Sequence, residues 1–339
     1  MLTVGSGLAV RFALHRHHEP AHATVEIPPA PRPTPPEPVT PPPEPPPPPP
    51  PVAPTPPAPP RIAGAKQISD ALVKNFAAAA GVIYYCDGTS VMAQPKSGGD
   101  AQSVGDCDNA FDFIADAQGV FYCNQHTLNR ITAGTQGSHV VADNVDCIME
   151  ALDAKYAYFA VPGFEGAVNP GVYRVVRAGG TPERIYSKSP TEQFSVAVDN
   201  EAVWIAAYGA GTISRLAKTP GAAAKELVSK QPGIVTFAID PTYLYWHSEN
   251  TTEVRRRKRT GGPIEVVGHQ VSQEPVTTSD GHAYWFEGPP DDSKLVHLVP
   301  GALRVDTLAS GLHTPSLRVD SEGAYVTELD QPGVFMFPR

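Results

Sequence analysis

Apolar and polar residues alternate in short runs along most of the chain, and the runs recur. FSVAVDNEAVWI (194–205), FAIDPTYLYW (237–246), PVTTSDGHAYWF (275–286) and PSLRVDSEGAYV (315–326) share one pattern: an apolar strand ending in Asp, a turn, then a strand led by an aromatic. The acid stands at Asp116, Asp153, Asp199, Asp240, Asp280 and Asp320, at intervals of 37, 46, 41, 40 and 40 residues, and an earlier degenerate copy lacks it but keeps Tyr84 and Tyr85. Short strands repeating at this interval predict an all-β fold, a β-propeller, because one small sheet cannot bury both its faces alone and must stack on its neighbours. Seven aromatic-led strands imply seven blades. Six is the alternative, if the degenerate first copy merges into a closing blade.

Each repeat reads as four strands. The first is rich in small apolar residues, the second carries the aromatic, and the third often holds an Arg or an apolar pair, as in Ile213 to Leu216. A turn with Gly or Pro leads to the fourth, such as Ile264 to Val267. Six carboxylates around a ring could suggest a cation site, but the better account is turn capping, with each Asp accepting amides two or three residues on. The last copy ends at Arg339 after a third strand (333–337), so residues 61–75 are expected to supply its fourth and seal the ring.

Composition divides the chain near residue 61. Of 39 prolines, 22 lie in residues 28–60, whereas every Trp, Tyr and Cys lies beyond them. Proline lacks a backbone donor and holds an extended form, so 28–60 reads as a disordered spacer reaching roughly 100 Å at about 3.1 Å per residue. Residues 1–27 pair a short apolar run (Leu2 to Val10) with Arg11, His15, Arg16, His17 and His18. This resembles the tail end of a signal or membrane segment, and suggests a tether. The propeller domain is then 61–339.

A formal charge of -9 argues against nucleic acid as a partner. The basic run Arg255 to Arg259 is expected to be a solvated rim strand, with an anionic docking patch as the alternative. Cys86 and Cys123 follow the aromatic of a second strand, and Cys107 and Cys147 precede the next blade. Loops at those two places open on one face, which predicts disulfides Cys86–Cys107 and Cys123–Cys147 and an oxidising compartment. A zinc site is the rival, but no clustered Cys and His spacing supports it, and neither a metal nor a cofactor is expected.

The Asp-turn-Tyr-Trp pattern, with a downstream Arg and a Gly-Gly turn, resembles the YWTD-type propellers of the low-density lipoprotein receptor class and NHL-like propellers. It is also similar to uncharacterised secreted or tethered propellers of myxobacteria. The resemblance covers about residues 75–339, and Tyr245-Trp246-His247-Ser248 and Tyr284-Trp285-Phe286-Glu287 keep the first two of the four letters.

The leading functional expectation is a non-catalytic, monomeric binding propeller, displayed at the cell envelope through the spacer and contacting a protein or glycan. Its contacts are expected in or beside the loops after the second strands, at Phe164, Glu165, Tyr208, His247, Glu249 and Glu287. An enzyme is the alternative, a lyase, lactonase or glycan hydrolase using the central channel. The first strands, read as Ala, Val, Ile and Thr, offer it no converging carboxylates, so the chain is expected not to be an enzyme. A third reading is the sensor half of a longer signalling protein.

Overall fold

The computed structural model describes residues 62–339 except 63, 74, 80, 108–109, 111, 125, 164–168, 190–191, 220, 270–274, 314 and 329–330. The proline-rich segment and the N-terminal 1–27 lie outside the described residues. The described strands form seven four-stranded antiparallel sheets, six of them running first strand to fourth in chain order. Blades 1 to 6 span 76–106, 112–143, 148–186, 194–228, 234–269 and 277–312. The first strands of consecutive blades touch, and that of blade 7 meets that of blade 1, so the sheets close into a ring. The fold is a seven-bladed β-propeller.

Blade 7 takes three strands from the C-terminal end, Ser316–Val319, Gly323–Thr327 and Val334–Pro338, and its fourth from Lys66–Ser69. The closing strand pairs Lys66 with Met336 and Gln67 with Phe335. This strand exchange satisfies the backbone groups of Val334–Pro338, which would otherwise form an open edge.

Burial follows strand position. First and second strands are buried along nearly their whole length, as in Phe194–Val198 and Ala202–Ala207, while fourth strands such as Lys225–Val228 expose their leading residues. The core is divided among the seams, with one hydrophobic cluster at each of the seven. One aromatic of every second strand faces the following blade: Tyr84, Phe121, Tyr158, Trp204, Tyr245, Tyr284 and Tyr325. Burying such a side chain contributes about 2 kcal/mol or more, which places most of the cohesion between blades.

The repeated Asp joins the turn, the aromatic and the next blade. Oδ1 of Asp199 accepts the amides of Glu201 (2.7 Å) and Ala202 (2.8 Å), and Oδ2 accepts Trp204 Nε1 (2.9 Å). Asp153 does the same for Lys155, Tyr156 and the Tyr158 hydroxyl, and Asp240 for Thr242, Tyr243 and the Tyr245 hydroxyl. Beyond this Asx turn, a cation placed just after the third strand of the following blade reaches back to the carboxylate. Arg177 binds Asp116 through two nitrogens (2.5 and 2.8 Å), Lys218 binds Asp153 (2.6 Å), and Arg259 binds Asp199. Lys96 of blade 1 binds Asp320 of blade 7 across the closing seam. The cations also lie over the aromatics, Arg259 4.5 Å from the Trp204 ring centre and Lys96 4.7 Å from that of Tyr325.

Departures from this scheme have local causes. In blade 6 the turn is the Asp280-Gly281 pair, both with positive φ (49° and 82°), and Ser279, paired with His282, takes the place that Asp116, paired with Gly119, takes in blade 2. Asp280 therefore sits one residue further on, exposed, and is met there by Arg339 at 3.0 Å. At the seam of blades 1 and 2 the acid and the cation are both absent, because Ala79 pairs with Val82 and Ala133 follows the third strand. At the seam of blades 5 and 6, Pro300 stands at the cation's place, and Arg256 bridges instead to the Ala302 carbonyl (3.1 Å).

The basic run is therefore neither a solvated strand nor an anion patch. Neighbouring residues of a strand point to opposite faces. Arg255 and Arg257 reach Gln231 and the Leu227 carbonyl toward blade 4, and Arg256 reaches Ala302 of blade 6. Arg259 clasps Asp199. Four of the five basic side chains, all but the exposed Lys258, act as staples on the two sides of blade 5.

Two measurements test this scheme. Lys96 is 3% exposed in its ion pair with Asp320, so Lys96→Met should cost about 3 kcal/mol in urea unfolding, while Arg215→Gln, whose partner Glu201 is exposed, should cost about 1 kcal/mol or less. Burial works against ionisation of Asp153 and Asp199, but Lys218, Trp204, Arg259 and the turn amides outweigh it, and both carboxyls are held below the usual range. A lowered folded pKa gives stability that is complete above the unfolded value, about 3.9, and lost as pH falls through the folded one. The Tm should hold from neutral pH to about 5 and fall below about 4, less steeply in Asp199→Asn.

Candidate functional site

The loops after second strands and the links between blades open on the face opposite the Asp clasps. Both disulfides lie at this face. Cys86 ends the second strand of blade 1 and bonds Cys107 at the exit of its fourth, and Cys123 and Cys147 repeat this in blade 2. Each closes a loop of the size that contributes about 3 kcal/mol. They bracket the seam of blades 1 and 2, where the clasp is absent.

Of the expected contact residues, the structure brings Tyr208 and Glu249 together. Tyr208 follows the second strand of blade 4 and Glu249 that of blade 5, and the Tyr208 hydroxyl donates to Glu249 Oε1. The hydrogen bond to Glu249 and, less strongly, burial push the phenol pKa up to about 12. Glu192 holds the start of this loop by accepting the amides of Gly209 (2.5 Å) and Ala210 (3.2 Å).

The other candidates are elsewhere. His247 is buried, with Nε2 3.1 Å from the Thr251 carbonyl, and burial lowers its pKa and keeps it neutral. Glu287 is engaged at the seam of blades 5 and 6, where it accepts Trp285 Nε1 (3.1 Å) and the His269 amide (3.0 Å). Phe164 and Glu165 lie outside the described residues.

Beside Glu249 is an open depression of about 380 Å3 lined by Glu249, Asn250, Thr251, Thr252, Glu253 and Arg255. Arg255 is oriented by Glu253 (2.7 Å) and by Gln231 Oε1 (2.6 Å). Trp246 pairs directly with Arg255 across the sheet, so both side chains share the face toward blade 4, as does Ser248 two residues on. Trp246 Nε1 and Ser248 Oγ are buried and have no hydrogen-bond partner among the described residues. Sequence reading missed Glu192, Gln231 and Ser248, since single polar residues near loops carry no spacing signal. It also took Arg255 for part of a charge run, although its alternation with Arg256 was available.

The first strands are less uniformly apolar than their sequence reading had it. Asp112, Glu150 and Arg318 lie on them in blades 2, 3 and 7, all buried, and Glu150 accepts the Val196 amide (3.0 Å). Among the described residues no group of three or more His, Cys, Asp or Glu side chains is arranged to hold a metal ion.

No family model and no curated protein matches the chain. Its likeness to solved structures is one of architecture. A streptogramin B lyase matches at 10% identity over 80% of this chain and 96% of that one, with a TM-score of 0.60. A catalytically inactive virginiamycin B lyase from Staphylococcus aureus, solved with quinupristin, matches at 13% identity over 80% and 98%, with a TM-score of 0.58. PorZ, a bacterial surface component of the type-IX secretion system of Porphyromonas gingivalis, matches at 10% identity, with a TM-score of 0.58, over 81% of this chain and 38% of that one. These neighbours share the propeller, with no sequence-level support for a YWTD or NHL repeat type. They also overturn the expectation that the chain is not an enzyme: two are lyases matched over nearly their full length, so this architecture is compatible with catalysis, though identity this low establishes only the fold.

The Tyr208–Glu249 pair can be read directly. Tyr208 should ionise near pH 12, and Glu249→Gln should return it toward the ordinary tyrosine value of about 10. Ultraviolet phenolate titration against a Tyr208→Phe background measures the shift.

Proposed function

We propose that this chain is a ligand-recognition propeller of an extracellular or periplasmic compartment, and that a protein or glycan ligand binds at the seam of blades 4 and 5. The observation that carries this reading is the meeting of Tyr208 and Glu249 from two blades beside the depression at Glu249 to Arg255. A half-exposed aromatic, carboxylates, an amide and a guanidinium converge there on a rigid ring, the arrangement by which loops acquire recognition. The two disulfides support an oxidising location, and the likeness to PorZ, a surface component, agrees with it. Residues 28–60 would act as the spacer that sets the propeller away from its attachment.

Capture of the native ligand by the full chain tests this reading. Tyr208→Ala and Glu249→Gln should each weaken binding about tenfold or more, the loss expected of a central contact, whereas Leu303→Ser on the opposite face should leave it unchanged. Loss with Leu303→Ser and retention with Tyr208→Ala would overturn it.

A further inference from the structure

We infer that the ligand of this seam is a hydroxyl-rich saccharide without anionic groups. This inference rests on the reading above and on the charge and apolar surface around the depression.

Glu253 is paired with Arg255, Arg255 is also bound by Gln231, and Glu249 keeps its negative charge while accepting the Tyr208 hydroxyl. An anionic ligand would have to take Arg255 from Glu253 and would meet the charge of Glu249, at a cost that its own contacts would first have to offset. A ligand of hydroxyl groups can instead donate to the outer lone pairs of the carboxylates and accept from Asn250, Thr252 and Arg255, keeping the pairs intact.

Protein partners are held by buried aromatic or aliphatic anchors. The six residues that line the depression include none. The exposed large apolar side chains among the described residues are Leu72, Val140, Val176, Ile264, Val266 and Leu303, and none belongs to the depression. The aromatic that does border it is Tyr208, a half-exposed ring suited to the apolar face of a sugar. On the sheet face that carries Arg255, Trp246 Nε1 and Ser248 Oγ are buried without partners among the described residues, two neutral groups that a bridging water could join to such a ligand.

The experiment is an array of neutral oligosaccharides built from glucose, galactose, mannose and N-acetylglucosamine, beside sialylated and sulfated ones, probed with the full chain at low and high salt. Binding to neutral members that is nearly independent of salt, and reduced about tenfold in Tyr208→Ala, is expected. Ser248→Ala separates a binding role from a structural one, because removing an unpartnered buried hydroxyl does not lower stability. Reduced saccharide binding at an unchanged Tm is the expected result. Binding confined to charged glycans, or strongly salt-dependent, overturns the inference. If no saccharide binds and a protein crosslinks through the Tyr208 seam, the saccharide class fails while the seam reading stands. If neutral saccharides bind and neither variant weakens them, the seam reading itself fails.

Discussion

Cohesion between blades is the constraint on which the ring depends, and at most seams it is focused on one carboxylate. A blade of four strands has two faces to bury and too little side chain to bury them within itself. The aromatic of each second strand answers this by crossing to the next blade, which leaves its polar tip needing a partner in a buried place. The Asp ending the first strand supplies that partner for Tyr158, Trp204 and Tyr245 while holding its own turn, and at Asp153 and Asp199 it also receives a cation from the following blade. Turn geometry, aromatic burial and seam alignment are thereby coupled, so an error in one is felt in the others.

The exceptions follow the same logic. Where Ala79 and Ala133 remove both halves of the clasp, neither is left as an uncompensated charge, and the two blades concerned are the ones stapled by disulfides. Where Pro300 removes only the cation, the adjacent Arg256 bridges the seam through a carbonyl. The closing blade, whose third and fourth strands come from distant parts of the chain, has both the exchanged strand and, at its seam with blade 1, the Lys96–Asp320 pair. A ring cross-linked on one face gives the loops of the other a fixed base, and that is what allows Tyr208 and Glu249, 41 residues apart, to meet.

Much of the fold was legible because each relevant signal was local and repeated: the interval between Asp residues, the aromatic that follows and the periodic cysteines. The candidate site was legible only in part. Loop position named Tyr208 and Glu249, which the structure brings together, alongside His247, whose buried ring lies by the Thr251 carbonyl, and Glu287, which is engaged in the seam of blades 5 and 6. The Asp series was legible as turn capping and silent about the clasp, since the cation lies 59 to 65 residues further along in four seams. In the closing seam it comes 224 residues earlier.

The amino-acid sequence by itself determined the repeat, the class of fold and the closing strand, and favoured the cysteine pairing that the structure has, because periodicity and the face on which a loop opens follow from strand alternation and antiparallel pairing. Only the tertiary structure decided what the charges do. A run of five basic residues reads the same in sequence whether it faces water or its neighbours, and only the placement of blades 4, 5 and 6 around it shows that Arg255, Arg256, Arg257 and Arg259 are spent as staples. The Tyr208–Glu249 and Gln231–Arg255 contacts beside the depression arise in the same way, from side chains distant in sequence whose meeting depends on ring geometry, a long-range quantity that no local pattern encodes.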